Sequence, residues 1–291
     1  NKYFMQKEKN FFDIYKLSFK GKVRDIYEIN NKLLLIIASD RISAFDFVFN
    51  DEIPGKGITL NKLTKFWFNK TSQIFHNHLE TNLKIDDLKI PKNYIDRCIL
   101  VTKTRVVPIE AIVRGYLTGS AWNEYNSEKK IHGVSIKENF SKYEKFNKPI
   151  FTPSTKAVVG ERDINISFEE MKTSIGAQLA EEIKEISLKL YSFAHEFAKE
   201  RGIIIADTKF EFGLDDNDNL LLIDEIFTPD SSRFWLYNNS TEEIQYESFD
   251  KQFFRDYLIS IGWNKEQLKL PLEIKNKLMD KYNLALTLLT K

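Results

Sequence analysis

Several kinds of chemistry are excluded by what this chain lacks. A single cysteine, Cys98, in 291 residues rules out an internal disulfide and suits a reducing compartment, so a cytoplasmic location is expected. The four histidines (His76, His78, His132, His195) lack zinc-ligand spacing, and the nearest approach, His76-x-His78, reads as an exposed helix end. The 43 basic and 42 acidic residues cancel to +1, so no global field favours nucleic acid or an anionic membrane. The longest apolar run, Leu33 to Ala38, is far too short to span a bilayer. The polar start, Asn1 to Asn10, shows no secretory pattern and no initiator Met, and leading residues are expected to precede it. Neither a Walker A sequence nor a Gly-x-Gly-x-x-Gly fingerprint occurs, so ATP, if bound, is held without either common phosphate loop.

What is present concentrates near Ile203. Four apolar residues, Ile203 to Ala206, lead into Asp207-Thr208-Lys209-Phe210-Glu211-Phe212-Gly213, an alternating strand. Its pleat sends Asp207, Lys209 and Glu211 to one face and Thr208, Phe210 and Phe212 to the other. Carboxylate, ammonium and carboxylate in a row suit a metal-bound phosphate; a solvated charged face is the competing reading. Asp215 to Asn219 is a turn signal, and Leu220 to Ile226 is a second apolar run containing Asp224-Glu225. A hairpin brings Asp224 or Glu225 near Lys209 and Glu211, and a slip of one residue would exchange the two. Such oxygen ligands favour magnesium held together with nucleotide phosphates.

Elsewhere, Gly21 to Ile29 and Lys32 to Ser39 read as strands flanking an Asn30-Asn31 turn, with Lys22 and Arg24 on one face. Leu60 to His78 reads as a helix, Arg97 to Lys103 and Arg105 to Arg114 as strands, with Pro108 at an edge or bulge. Tyr125 to Gly160 is expected to be a long ordered excursion. Ser167 and Glu170 form a capping box opening a long helical segment. After Gly176 its core stripe is Leu179, Ile183, Ile186, Leu190, Phe193 and Phe197. Helices are expected near Asp250 to Ile261 and Pro271 to Leu289. A β-rich part followed by mixed elements gives an α+β enzyme-like chain, long enough for one large or two ordinary domains.

A second constellation runs from Val106 to Trp122, a strand, a glycine-flanked loop and a helix start. Ser120 sits where an N-cap would, and Arg114 can add a bidentate grip on a phosphate. A simple loop before a capped helix explains the serine but does not require the arginine.

Val106 to Ser120 and Ile205 to Gly213 resemble the two signature segments of the SAICAR synthetase family of purine synthesis. Gly21 to Tyr27, Ser39 to Asp46 and Asp224 to Arg233 resemble that family in order and spacing, and Ile150 to Ala157 is similar to its longer form in fungi and some bacteria. The resemblance implies a β-rich, kinase- and ATP-grasp-like nucleotide lobe, residues 1–107, and an α+β substrate lobe, residues 108–291, with the site in the cleft. It implies a ligase that uses ATP and Mg2+ to join L-aspartate to the carboxylate of carboxyaminoimidazole ribonucleotide through an acyl phosphate. By matching positions, Lys22 and Arg24 are expected at the ATP phosphates, and Lys103 and Glu110 near adenine and ribose. Glu211 and Asp224 are expected to carry magnesium, and Lys209 to neutralise the transferred phosphoryl group. Arg114, Ser120 and Arg233 would hold the ribose phosphate, while Asp207, Asp230 and Asp46 would orient the imidazole or the incoming aspartate. A small-molecule kinase would share the nucleotide lobe but would not need the arginine–serine anion site. A non-catalytic nucleotide-binding protein would be expected to lack part of the Asp207, Lys209, Glu211 and Asp224 set. Oligomeric state is left open.

Overall fold

The computed structural model describes residues 10–83, 85–156, 163–249 and 252–291. Near the start, a short helix α1 (Phe11–Ile14) precedes strands β1 (Leu17–Lys20), β2 (Arg24–Glu28) and β3 (Leu33–Ala38). β2 and β3 pair antiparallel, with Tyr27 opposite Leu35 and the Ile29 N–H donating to the Leu33 carbonyl, so the turn between them is Asn30-Asn31-Lys32, one residue longer than expected. β2 begins only at Arg24, so Lys22 lies in the bend before it and does not share a strand face with Arg24. A small hairpin follows, β4 (Arg41–Ala44) with β5 (Phe47–Glu52).

The helix expected at Leu60 to His78 is α2 (Lys56–Thr71), displaced toward the N-terminus. Its start is set from outside the helix: the Asp40 carboxylate accepts from the N–H groups of Gly55 and Gly57, a cap no local motif announces. Beyond Thr71 the chain leaves the helix, so His78 is not at an exposed helix end; it is 4% exposed and its N–H donates to the Leu222 carbonyl. A short helix α3 (Lys92–Ile95) leads to β6 (Cys98–Thr102), which completes a four-stranded sheet in the order β1-β2-β3-β6.

The strand expected at Arg105 to Arg114 is broken at Val107-Pro108 into β7 (Arg105–Val106) and β8 (Ile109–Tyr116), because proline cannot donate to a ladder. After β8 come α4 (Gly119–Glu128), β9 (Lys130–Ile131), β10 (Val134–Ser135), β11 (Lys145–Phe151) and β12 (Ser154–Thr155). The excursion is thus ordered through Lys156; residues 157–160, including Ala157 of the family-like segment, lie outside the described residues. Helix α5 (Phe168–Ile175) opens with the expected capping box, Ser167 with Glu170, and Gly176 separates it from α6 (Ala177–Glu200). The stripe of α6 packs on the core as expected at Leu179, Ile183, Ile186, Leu190 and Phe197, and is widened by Tyr191 and Ala194. Ile183, Leu190, Tyr191 and Ala194 face the core, whereas Phe193 is 36% exposed. Tyr191 is drawn inward by its hydroxyl, which donates to the Ile205 carbonyl at 2.6 Å. It packs so closely over Gly115 that a Cβ there would lie 2.0 Å from the phenol oxygen.

The chain then forms the long β13 (Ile203–Leu214), β14 (Leu220–Ile223), β15 (Ser232–Asn238) and β16 (Glu243–Ser248), followed by α7 (Gln252–Ser260) and α8 (Leu272–Leu289). Asp250, where the first of these helices was expected to begin, lies outside the described residues. The eight-stranded antiparallel sheet runs β11-β8-β13-β15-β16, with β7, β12 and β14 attached. Its main core joins Phe210 and Phe212 of β13 to Ile183 and Leu190 of α6 and Trp67 of α2. The β4–β5 hairpin packs instead on the C-terminal helices, through Phe49, Phe254, Leu278 and Tyr282. The architecture is α+β, and among the described residues no helix is long and apolar enough to cross a membrane.

Candidate active site

The site is organised by the pairing of β8 with β13. Asp207 stands opposite Arg114 and Lys209 opposite Ile112, so Glu110 and Arg114 share a face with Asp207, Lys209 and Glu211. The phenylalanines on the reverse face are fully buried, which fixes the register and commits the charged set to one side.

At one end of this face Lys209 Nζ donates to Glu110 Oε1 at 2.6 Å and lies 3.6 Å from Glu211 Oε1. Lys156, at the end of β12, pairs with the other oxygen of Glu211. Burial pulls the Lys209 ammonium down, but Glu110, Glu211 and Asp224 outweigh it and hold the group well above the ordinary lysine range. Burial pushes the Glu110 carboxyl up, with Lys209 opposing. The β13–β14 hairpin brings Asp224 and Glu225 to the same end. Arg24 Nη2 reaches both, at 2.8 and 3.2 Å. Burial raises the Asp224 carboxyl, but Arg24, Lys209 and Lys156 overcome it and hold the group below its usual range. Glu225 is pushed up by burial and accepts from the Thr228 hydroxyl at 2.7 Å.

Glu211 and Asp224 are two hard carboxylates set among three cations: Lys156, Lys209 and Arg24. Among the described residues no cluster of three His, Cys, Asp or Glu side chains could cage a metal. Such a donor set fits magnesium that arrives with phosphates, since that ion takes few protein carboxylates.

Two residues earlier on β13 is a cation-rich cluster. Asp207 Oδ2 accepts from Arg233 Nη1 at 2.5 Å and lies 3.5 Å from Arg114 Nη1. Arg114, only 4% exposed, also donates from Nε to the Thr152 hydroxyl and from Nη2 to the Ser120 hydroxyl. Because Ser120 Oγ accepts from the arginine, its own proton is left to point elsewhere. Ser120 is not the N-cap: that residue is Thr118, and Ser120 is the second residue of α4. Gly119, at φ 60°, lies under Arg233, where a Cβ would be 2.8 Å from the guanidinium. A pocket of about 310 Å³ opens beside Arg233, lined in part by Thr118, Gly119, Trp122, Asn123 and Trp235. Two arginines around one carboxylate leave net positive charge, as an anion site requires.

The remaining expected residues have other partners. Lys22 pairs with Asp46 at 2.9 Å in the exposed β4–β5 turn. Lys103 pairs with Glu28 at 2.8 Å, both side chains well exposed. Asp230 is turned inward: its oxygens accept from Lys56 Nζ at 2.8 Å and the Tyr282 hydroxyl at 2.5 Å, and its side chain is 2% exposed. No local motif marks Lys56, Tyr282 or His132 as site residues, and Thr152 falls in the family-like segment Ile150 to Ala157 without a part assigned to it. Lys156 lay within a family-like segment without being assigned a part.

The SAICAR synthetase family model matches residues 17–270. The phosphoribosylaminoimidazole-succinocarboxamide synthase of Neisseria meningitidis serogroup B is 48% identical over 277 residues, covering 93% of this chain and 96% of that protein. The enzyme of the same name from Pasteurella multocida is 47% identical over 279 residues, covering 94% and 97%. A solved structure of the SAICAR synthase of Saccharomyces cerevisiae, complexed with SAICAR, superposes with a TM-score of 0.85 at 41% identity, covering 97% of each chain. The family model's span, the identity along nearly the whole chain and the close superposition agree: the chain belongs to the SAICAR synthetase family, ligases of purine synthesis.

Proposed function

We propose that this ligase uses ATP to join L-aspartate to the carboxylate of carboxyaminoimidazole ribonucleotide through an acyl phosphate, releasing SAICAR, ADP and phosphate. One observation carries the reading. The face shared by β8 and β13 holds a lysine flanked by carboxylates and, two residues along, a buried two-arginine cluster. The first suits a phosphoryl group in transfer and the second a phosphate that stays put. In this reading residues 1–107 form the nucleotide lobe and 108–291 the substrate lobe, and the buried thiol of Cys98 suits the cytoplasm.

Arg24 and Lys22 meet the ATP phosphates, and Lys103 lies toward the base. Glu110, bonded to Lys209, serves the phosphate end of the nucleotide and not its ribose. Magnesium, held by Glu211 and Asp224, would supply charge neutralisation on the phosphates. Lys209 faces the γ-phosphoryl group. A carboxylate oxygen of the ribonucleotide attacks that phosphorus and ADP leaves. The aspartate amine then attacks the acyl carbon, forming the C–N bond as the C–O bond to phosphate breaks. Arg114, Ser120 and Arg233 anchor the ribose phosphate, and Asp207 and Asp46 orient the reacting groups. Asp230 acts from behind, bracing the loop between Asp224 and Arg233 through Lys56 and Tyr282. Little protein nucleophilicity is needed, because positioning and charge carry such transfers.

The reading requires steady ADP release only when both the ribonucleotide and aspartate are present. ADP release at a comparable rate with either one omitted, or a phosphorylated compound as the final product, favours a kinase and contradicts it.

A further inference from the structure

His132 is 2% exposed, lies outside every motif of the chain and touches Arg114. Its ring stands between two partners: Nδ1 is 2.8 Å from the Pro153 carbonyl oxygen, and Nε2 is 3.1 Å from Arg114 Nη2. A carbonyl has no proton to give, so Nδ1 carries the hydrogen and donates it. Nε2 therefore presents a lone pair, and the arginine N–H donates to it. The backbone is shaped to hold the ring there. His132 has φ 47° and Gly133 φ 75°, and the Glu124 carboxylate of α4 accepts from both N–H groups, at 2.8 and 2.7 Å. Burial, reinforced by the charge of Arg114, pushes the imidazole down to about 4, which keeps the lone pair available at neutral pH.

Arg114 is thereby oriented by groups from separate segments: Thr152 after β11, Ser120 in α4, His132 after β9, and Asp207 on β13. Thr152 and His132 are uncharged acceptors. They fix the plane of the guanidinium without spending its charge, whereas a carboxylate in either place would neutralise the site. We propose that His132 is a positioning residue that sets the Arg114 guanidinium for the phosphate of the ribonucleotide, acting through the arginine and not on the ligand. The proposal rests on the reading of Arg114 as part of the anion site.

Two substitutions separate positioning from packing. His132→Asn retains a donor for Pro153 but offers Arg114 no acceptor, and His132→Gln places an amide oxygen where Nε2 stands. The Asn variant is expected to raise KM and Kd for the ribonucleotide about tenfold, the effect of losing one hydrogen bond to a charged group. KM for ATP and kcat should stay within about twofold, and Gln should restore most of the loss. In an Arg114→Ala background His132→Asn should add nothing further, as two residues acting through one contact do not add. Equal rises in KM for ATP and ribonucleotide, or a full His132→Asn effect without Arg114, overturn the proposal. So does unchanged ribonucleotide affinity in His132→Asn when Arg114→Ala has lost it; unchanged affinity in Arg114→Ala instead removes the anion-site reading beneath. The 15N resonances of His132 in the unsubstituted protein give a check independent of variant folding. An Nδ1-protonated neutral ring whose Nε2 shift responds to the ribonucleotide is expected, and an Nε2-protonated ring overturns the proposal.

Discussion

Asp207 stands where the charge balance of the site is tightest. Its carboxylate, 13% exposed, sits 2.5 Å from Arg233 and 3.5 Å from Arg114, whose side chains are 17% and 5% exposed. One negative charge separates two positive ones. Asp207→Asn keeps the shape and one acceptor oxygen but removes that charge. With an effective dielectric of about 20, each contact is worth roughly 5–7 kcal/mol in Coulomb terms. Desolvation cancels most of this, and breaking a buried pair from one side costs about 3–5 kcal/mol. The retained hydrogen bond places Asn at the lower end, about 3 kcal/mol, or roughly 6–10 °C in melting temperature. The same unbalanced arginine pair should then recruit an anion, so orthophosphate should recover much of the lost stability by mass action. Calorimetric melts of both proteins over a phosphate series test this. Equal melting temperatures without phosphate, or equal stabilisation of both proteins by phosphate, would refute the charge argument.

Two further outcomes follow from the same geometry. Asp224 has φ 70°, a conformation asparagine tolerates, so Asp224→Asn should keep the fold by circular dichroism while turnover falls roughly a hundredfold; near-normal turnover at low magnesium contradicts the metal assignment. Burial pushes both His78 and His132 down from 6.5 to about 4; Arg114 adds to it at His132, while at His78 Asp224 opposes it and Arg24 adds a smaller push down. Above pH 6.5 both rings are neutral in either state. As pH falls from 6.5 toward 4 the unfolded chain takes up protons that the folded one refuses, so stability is lost by about 3 kcal/mol per ring. Melting temperatures measured across that interval should therefore drop, and a flat profile would contradict the burial of these rings.

Local patterns were legible in the sequence. The alternation of β13, the Asx-rich turn after it and the Ser167–Glu170 capping box need only neighbouring residues, and the structure contains each. The face of β13 followed from its pleat, so Asp207, Lys209 and Glu211 could be grouped in advance. What escaped depends on distant partners. The start of α2 is set by Asp40, which lies 15 residues before Gly55. Asp230 is expected to face the imidazole or the incoming aspartate, yet Lys56 and Tyr282 hold it from helices 174 and 52 residues away. Lys22 and Arg24 look equivalent, but the late start of β2 sends the first to Asp46 and the second to Asp224 and Glu225. His132 carried no signal, because its importance lies in a hydrogen bond to Arg114, 18 residues earlier.

The central claim is that phosphoryl transfer to the ribonucleotide carboxylate precedes amide formation on the β8–β13 face. Isotope transfer tests it most directly. With both carboxylate oxygens of the ribonucleotide labelled with 18O, the attacking oxygen becomes the bridge to phosphorus and leaves with it. Mass spectrometry should find one 18O atom in each released phosphate and one in the amide of the product. Unlabelled phosphate accompanying the product would contradict the account.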